Sequence, residues 1–447
     1  MKAVSRIAHC GSILHFRADP GAQARAEACE YWDSGVLIVA DGRIEAVGPA
    51  SALLRDAGPL SIVEHGQRLI MPGFIDTHIH YPQTDIIGAG GRNLLDWLEH
   101  QAFPAEQRFA DGQHARSVAE FFLDELLRNG TTTAQVLGTV HKISIDAFFE
   151  AAAARSLRMI AGKTLMDRHC PDGLRDSASE GEREMRELIE TWHGRDRLHY
   201  AITPRFALTS SMAQLQGAGQ LAHEYPDVFI HSHLAENRDE VESVRKLFPN
   251  DRSYLDVYDR FGLLRERATY AHCIYLDEAD RQRLAGSGAA AAYCPSSNLY
   301  LGSGLFDMHA SDAAGMRFAL ATDVGGGSSF SMLRTMGEAY KVGQLLGQPL
   351  APLRAFYLAT LAGARILGLE NRIGQFAPGM EADFIVLDPQ ATPLLARRMV
   401  QARNLSERLL LFMILGDDRA IAETYVLGQA VRPATLGSGA SVQRGLL

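Results

Sequence analysis

Two histidines one residue apart, His78 and His80, lie at the end of an apolar run, MPGFIDTHIHYPQ from Met71 to Gln83, whose composition reads as a buried strand. Side chains at i and i+2 of a strand point the same way, about 6.5 Å apart at their Cα atoms, so both imidazoles can converge on one ion. Imidazole nitrogens suit zinc, and Fe(II) accepts the same ligands. Three more segments extend the set: HSHLAEN offers His231, His233 and Glu236, YAHCIYL offers His272, and ATDVGGG offers Asp323. Three imidazoles and a carboxylate on one ion, with a position left for water, make a hydrolytic arrangement, because zinc lowers the pKa of bound water to about 7. Spacing does not choose between His231 and His233, which share a side of their strand. His233 is nearer the C-terminal end and is taken as the ligand, with His231 behind it. Glu236 follows in the loop, where a carboxylate can take a proton from the bound water and pass it to a substrate.

A dinuclear site calls for an anionic bridge, such as a carboxylated Lys or a Glu on the fourth strand, where this chain has Thr203, Pro204 and Arg205. One metal is therefore expected. Lys163, on the third strand, reads as a structural ion pair. The five cysteines are scattered and never form C-x-x-C, and Cys294 is followed by Pro295, Ser296 and Ser297, so neither a disulfide framework nor a thiolate metal site is expected.

These residues need a scaffold that brings strand ends together. Between residues 70 and 330, eight apolar runs alternate with stretches of helical period: FIDTHIH from Phe74, TTTAQVLGT from Thr131, RMIAGKTLM from Arg158, HYAITPRFA from His199, VFIHSHLAEN from Val228, ATYAHCIYL from Ala268, AAAYCPSSN from Ala290 and FALATDVGGG from Phe318. Before the second run, Val118, Phe121, Phe122 and Leu126 mark the buried face of a helix that Asn129-Gly130 ends. Eight β-α units predict an α/β fold, a TIM-type (β/α)8 barrel, and every chemically interesting side chain falls near the C-terminal end of a strand, where such barrels assemble their sites.

The chain has 447 residues, more than one core usually serves, with 47% hydrophobic and 22% charged residues. Residues 1–70 carry GVLIVADGRIEAVG, strand, Asp-Gly turn and strand, and residues 376–433 carry APGMEADFIVLD and ETYVLGQAVRP. Both are expected to combine into a small β-sandwich beside a barrel of residues 71–375, with residues 434–447 as a mobile tail. The opening MKAVSRIAHCGSILHF reads as a first strand, its apolar stretch interrupted by His9, Ser12 and His15. A net charge of −9 without a dense basic run argues against nucleic acid and anionic membranes as partners, and no apolar run is long enough to span a bilayer. A cytoplasmic location is expected.

From Pro72 to about Gly428 the chain resembles the guanine deaminases of the amidohydrolase superfamily. The resemblance rests on PGFIDTHIHYPQ, NLLDWLEHQAFPAE, LLRNGTTTA, AITPRFALTS, HSHLAENRDE, CPSSNLYLGSGLF and ATDVGGGSSFSML. It implies zinc on His78, His80, His233 and Asp323, His272 against the bound water or the substrate, and a purine pocket of Gln83, Arg205, Phe206 and Glu236. It further implies water attack at C2 of guanine, Glu236 relaying a proton to N3, Asp323 ordering and deprotonating the nucleophile, xanthine and ammonia as products, and a homodimer. The chemistry is consistent: a flat ring can stack on Phe206, a guanidinium at Arg205 can grip a carbonyl, and Gln83 offers both a donor and an acceptor. Trp97 is a candidate for closing the pocket, or a packed loop aromatic. Leu208 is a place where no particular residue is required. Replacing Arg205 by Ala is expected to cost binding more than folding. The rival readings are a deaminase of the same fold acting on an oxidised purine, a pterin or a triazine, and a metal-free barrel serving as a scaffold.

Overall fold

The computed structural model describes residues 6–55 and 58–431, so the expected tail at 434–447 lies outside the described residues. The N-terminal segment folds as β1 (Arg6–Phe16), β2 (Cys29–Ala40), β3 (Arg43–Pro49) and β4 (Ser61–Pro72). The Asp-Gly pair makes the predicted hairpin: Asp41 and Gly42, with φ of +49° and +76°, join β2 to β3, and positive φ at both central residues matches the twist of the flanking strands.

The barrel strands follow as β5 (Phe74–His80), β6 (Thr131–Leu137), β7 (Arg158–Gly162), the two-residue β8 (Thr164–Leu165), β9 (Leu198–Pro204), β10 (Phe229–Leu234), β11 (Ala268–His272), β12 (Ala290–Tyr293) and β13 (Arg317–Leu320). All eight predicted runs are strands, paired in parallel in chain order from β5 to β13, with β8 beside β9. Just past β13 the ends of the sheet meet: Asp323 N donates to the His78 carbonyl at 3.0 Å, and His80 N donates to the Val324 carbonyl at 2.9 Å. The seam of the barrel thus runs through two candidate ligands and the predicted carboxylate.

The helix before β6, Gly112–Arg128, buries Ala115, Val118, Ala119, Phe122, Leu123, Leu126 and Leu127. Phe121, expected on that face, is 46% exposed instead, because the stripe through 118, 122 and 126 and its flank at 119 and 123 leave position 121 toward solvent.

The chain returns as β14 (Phe384–Leu387), β15 (Ile421–Val426) and β16 (Gln429–Val431), and both termini combine in one seven-stranded sheet ordered β16-β15-β14-β4-β1-β2-β3. Gly73 links this sheet to the barrel: its N–H donates to the Asp383 carbonyl at 3.1 Å, and a Cβ there would lie 2.2 Å from Thr132 Oγ1, so only glycine fits. A buried charge cluster fastens the two parts. Arg158 and Arg197, at the N-terminal ends of β7 and β9, both bind Glu381 through their Nε atoms, at 2.9 and 3.1 Å, and Arg197 also pairs with Asp383. Among the described residues, no helix is long and apolar enough to cross a membrane.

Candidate active site

Along β5 the alternate residues Asp76, His78 and His80 share a side, and all three are buried. His78 and His80 meet His233 of β10 and Asp323 from beyond β13. His80 Nε2 lies 3.2 Å from both His78 Nε2 and His233 Nε2, and Asp323 Oδ1 is 3.1 Å from His78 Nε2 and 3.4 Å from His80 Nε2. Ligand atoms about 2.0–2.1 Å from a tetrahedral zinc ion sit about 3.3 Å apart, and these four separations are edges of that tetrahedron. The donor set therefore fits a divalent cation of that size.

The tautomers agree. His233 Nδ1 donates to the Arg205 carbonyl at 2.7 Å, which leaves the lone pair on Nε2. His78 Nδ1 lies 2.8 Å from His231 Nε2, so with its own lone pair directed at the cluster His78 donates and His231 accepts. His231 thus stands behind His78. Burial lowers His78 to about 4 and holds His231 and His233 well below the usual imidazole value, keeping them in the neutral form that binds metal. Lys163 takes no part. It is fully buried in an ion pair with Asp176 and lies 3.5 Å from Glu184.

Beside the cluster, Glu236 and His272 face each other, Oε2 to Nε2, at 3.4 Å, with Asp323 Oδ2 at 3.7 Å from the same nitrogen. Burial pushes the Glu236 carboxyl above its usual value. One segment steadies both groups, the short helix Pro295–Tyr300 and the turn that follows it: Asn298 Oδ1 accepts from His272 Nδ1 at 2.8 Å, and Ser303 Oγ donates to Glu236 Oε1 at 2.7 Å. His272 and Asp323 leave their strands with φ of +70° and +51°, left-handed values that are uncommon for such residues and gather at functional sites.

These groups form one side of a pocket. Gln83, Arg205, Phe206, Trp97 and Leu98 are among those that complete the lining, so every predicted purine contact opens onto the same space. Trp97 is both packed and pocket-lining: it is 2% exposed, and its Nε1 donates to the Ala89 carbonyl at 2.9 Å.

Five contributors were not anticipated. Asp76 accepts from Thr322 N at 3.1 Å and from its hydroxyl, and so anchors the residue before Asp323. Burial raises its carboxyl to about 7. Its place two residues before His78 was the available signal. Glu240 accepts from Glu236 N and Asn237 N at 2.8 and 3.1 Å, the second contact being half of a capping box readable as N-x-x-E in HLAENRDE. Asn298 and Ser303 lie within CPSSNLYLGSGLF, and nothing in their spacing marks them. Glu106, at the end of the WLEHQAFPAE run, is wholly buried against Arg205 and Gln83.

A parallel barrel that gathers imidazoles and carboxylates at its C-terminal mouth, beside a pocket, is built as a hydrolase. The Amidohydrolase family model matches residues 69–431, and the chain belongs to that family. Within it the chain groups with the guanine deaminases. It is 47% identical to the guanine deaminase of Escherichia coli (strain K12) over 407 residues, 91% of this chain and 93% of that one. The solved E. coli guanine deaminase superposes with a TM-score of 0.93 at 46% identity, covering 96% of this chain and all of that one. The guanine deaminase from C. acetobutylicum, solved with guanine bound in its active site, superposes at 0.87 with 27% identity over 96% of this chain and all of that one.

Proposed function

We propose that the enzyme hydrolyses guanine to xanthine and ammonia, using one zinc ion per subunit held by His78, His80, His233 and Asp323. The observation that carries this reading is the set of tetrahedral edges opening onto a pocket whose other walls carry Arg205, Phe206 and Gln83. Zinc is favoured by three imidazoles with one carboxylate, and Fe(II) is the alternative the same donors accept. A divalent cation held there would lower the pKa of a water and so supply a nucleophile at neutral pH.

The side chains do the rest. Phe206 offers a face for the purine, and its ring lies 6.3 Å from that of His233, so a stacked base sits close to the cluster. Arg205 donates to the ring carbonyl and Gln83 fixes the neighbouring edge. Glu236 takes a proton from the attacking water and delivers it to N3 as the C2–O bond forms. Asp323 orients that water, and His272, held by Asn298, faces the same point. Asp323 then moves the remaining hydroxyl proton to the exocyclic amine, C2 gains its carbonyl, the exocyclic C–N bond breaks and ammonia leaves. The guanine-deaminase resemblance also supports a cytoplasmic homodimer, which sedimentation of the purified protein tests.

The deciding assay is ammonia release by the zinc-loaded enzyme with guanine, run beside cytosine, adenine, 8-oxoguanine and a pterin. Strong preference for guanine is the expected result. Preference for another substrate keeps the hydrolytic site and moves the error to Gln83, Arg205 and Phe206.

Arg205 needs a gentler probe than Ala. Its Nη1 binds both oxygens of buried Glu106, at 2.9 and 2.7 Å, so Arg205→Ala strands a buried carboxylate and is expected to cost about 3–5 kcal/mol of stability as well as binding. The expected loss of binding thus comes with a substantial loss of stability. Arg205→Lys keeps a cation but loses the planar fork, and is expected to raise KM more than it lowers kcat. An unchanged KM means the purine docks elsewhere.

A further inference from the structure

We propose that Glu106 is a positioning and specificity residue for this pocket: it compensates the charge of Arg205 and pins the amide of Gln83, so that the site accepts a neutral purine lactam and discriminates against purine anions. The inference rests on the guanine reading above.

Glu106 has no exposed surface, yet three hydrogen bonds end on it. Arg205 Nη1 donates to both of its oxygens, and Gln83 Nε2 donates to Oε1 at 2.9 Å. The other end of that amide is also fixed, since Gln83 Oε1 accepts from Gly325 N at 3.1 Å. Flipping the amide would set its NH2 against the Gly325 N–H and its oxygen against the Glu106 carboxylate. Gln83 therefore meets a ligand in one orientation, with one N–H and one lone pair to spare. An Arg in a dry pocket favours an anion when nothing balances it. Balanced by Glu106, its remaining N–H groups still donate to a neutral carbonyl oxygen.

The distinction matters because of the reaction's direction. Exchanging the exocyclic amine of guanine for a carbonyl turns an amidine into an imide, whose N–H is the more acidic. A pocket selective for anions would thus hold its product in preference to its substrate, and the Glu106 carboxylate works against that.

The test compares Glu106→Gln and Glu106→Asp with the unchanged zinc enzyme, measuring guanine kinetics, metal content and inhibition by xanthine above its first ionisation. Glu106→Gln removes the charge and sets an NH2 in place of one of the two oxygens that accept from Arg205 Nη1. It is expected to raise KM for guanine about thirtyfold or more, to keep its metal, and to strengthen xanthine inhibition about tenfold. Glu106→Asp misplaces the carboxylate but keeps its charge, so KM rises without stronger inhibition. If xanthine inhibition of Glu106→Gln is unchanged or weaker, Glu106 is only a brace and the proposal is wrong. Should Glu106→Gln not fold, the unchanged enzyme decides: its inhibition by xanthine weakens as pH rises through that ionisation, and strengthening overturns the proposal. Failure of the unchanged enzyme to turn over guanine instead removes the guanine reading, and this inference with it.

Discussion

Glu236→Gln abolishes turnover: kcat is expected to fall by about 10³-fold or more, with metal content and thermal midpoint those of the unchanged enzyme. The separation of these readouts follows from where the carboxyl sits. None of the tetrahedral edges ends on Glu236, so no ligand is removed. The side chain is 3% exposed and its Oε1 accepts from Ser303 Oγ at 2.7 Å, a bond that a Gln carbonyl can still accept. What the amide cannot do is take a proton. Burial also pushes the Glu236 carboxyl above its usual value, favouring the form that holds a proton, and an amide has no such equilibrium. Steady-state kinetics beside elemental analysis check this. A variant within about tenfold of the unchanged rate would take the relay away from Glu236.

The cluster of His78, His80, His233 and Asp323 was legible because barrel chemistry repeats strand periodicity. H-x-H puts two imidazoles on one side of β5, and the same period left His231 and His233 equivalent until height along β10 separated them. The eight strands were legible for a related reason: buried parallel strands read as short apolar runs between stretches of helical period. Phe121 shows where that reading stops. An apolar residue beside a buried stripe looks like part of it, although its side chain is turned to solvent. The supporting groups were harder to see. Asn298 and Ser303 act on His272 and Glu236 across 26 and 67 residues of chain, and only the folded helix and turn after β12 bring them there. Glu106 likewise reaches Arg205 across 99 residues. Periodicity carries information along one element, and contacts between loops of different strands have none to carry. Asp76 and Glu240 are the exceptions, one by strand period and the other by a capping box.

His80→Ala is expected to lose both the metal and the activity, and it isolates the site from the fold better than the other ligand changes do. His78 is tied to His231 and His233 to the Arg205 carbonyl, so replacing either breaks a second interaction. His80 Nδ1 has no hydrogen-bond partner among the described residues, and the contacts of Nε2 are with His78, His233 and Asp323. Without a cation, lone pairs and a carboxylate oxygen face one another at 3.1 to 3.4 Å, an arrangement that opposes folding until positive charge enters. Zinc should therefore raise the thermal midpoint of the unchanged protein, by the equivalent of about 4 kcal/mol when free metal exceeds Kd about a thousandfold. In His80→Ala that response to zinc should nearly vanish, and kcat/KM should fall by about 10³-fold or more, since neither the nucleophile nor its orientation survives. Elemental analysis after dialysis and melting curves with and without zinc measure both effects. A His80→Ala protein that keeps its full zinc content would mean that the ion is held by a different set, for which His272 and Cys294, grouped with His78 and Asp323, are the nearest donors.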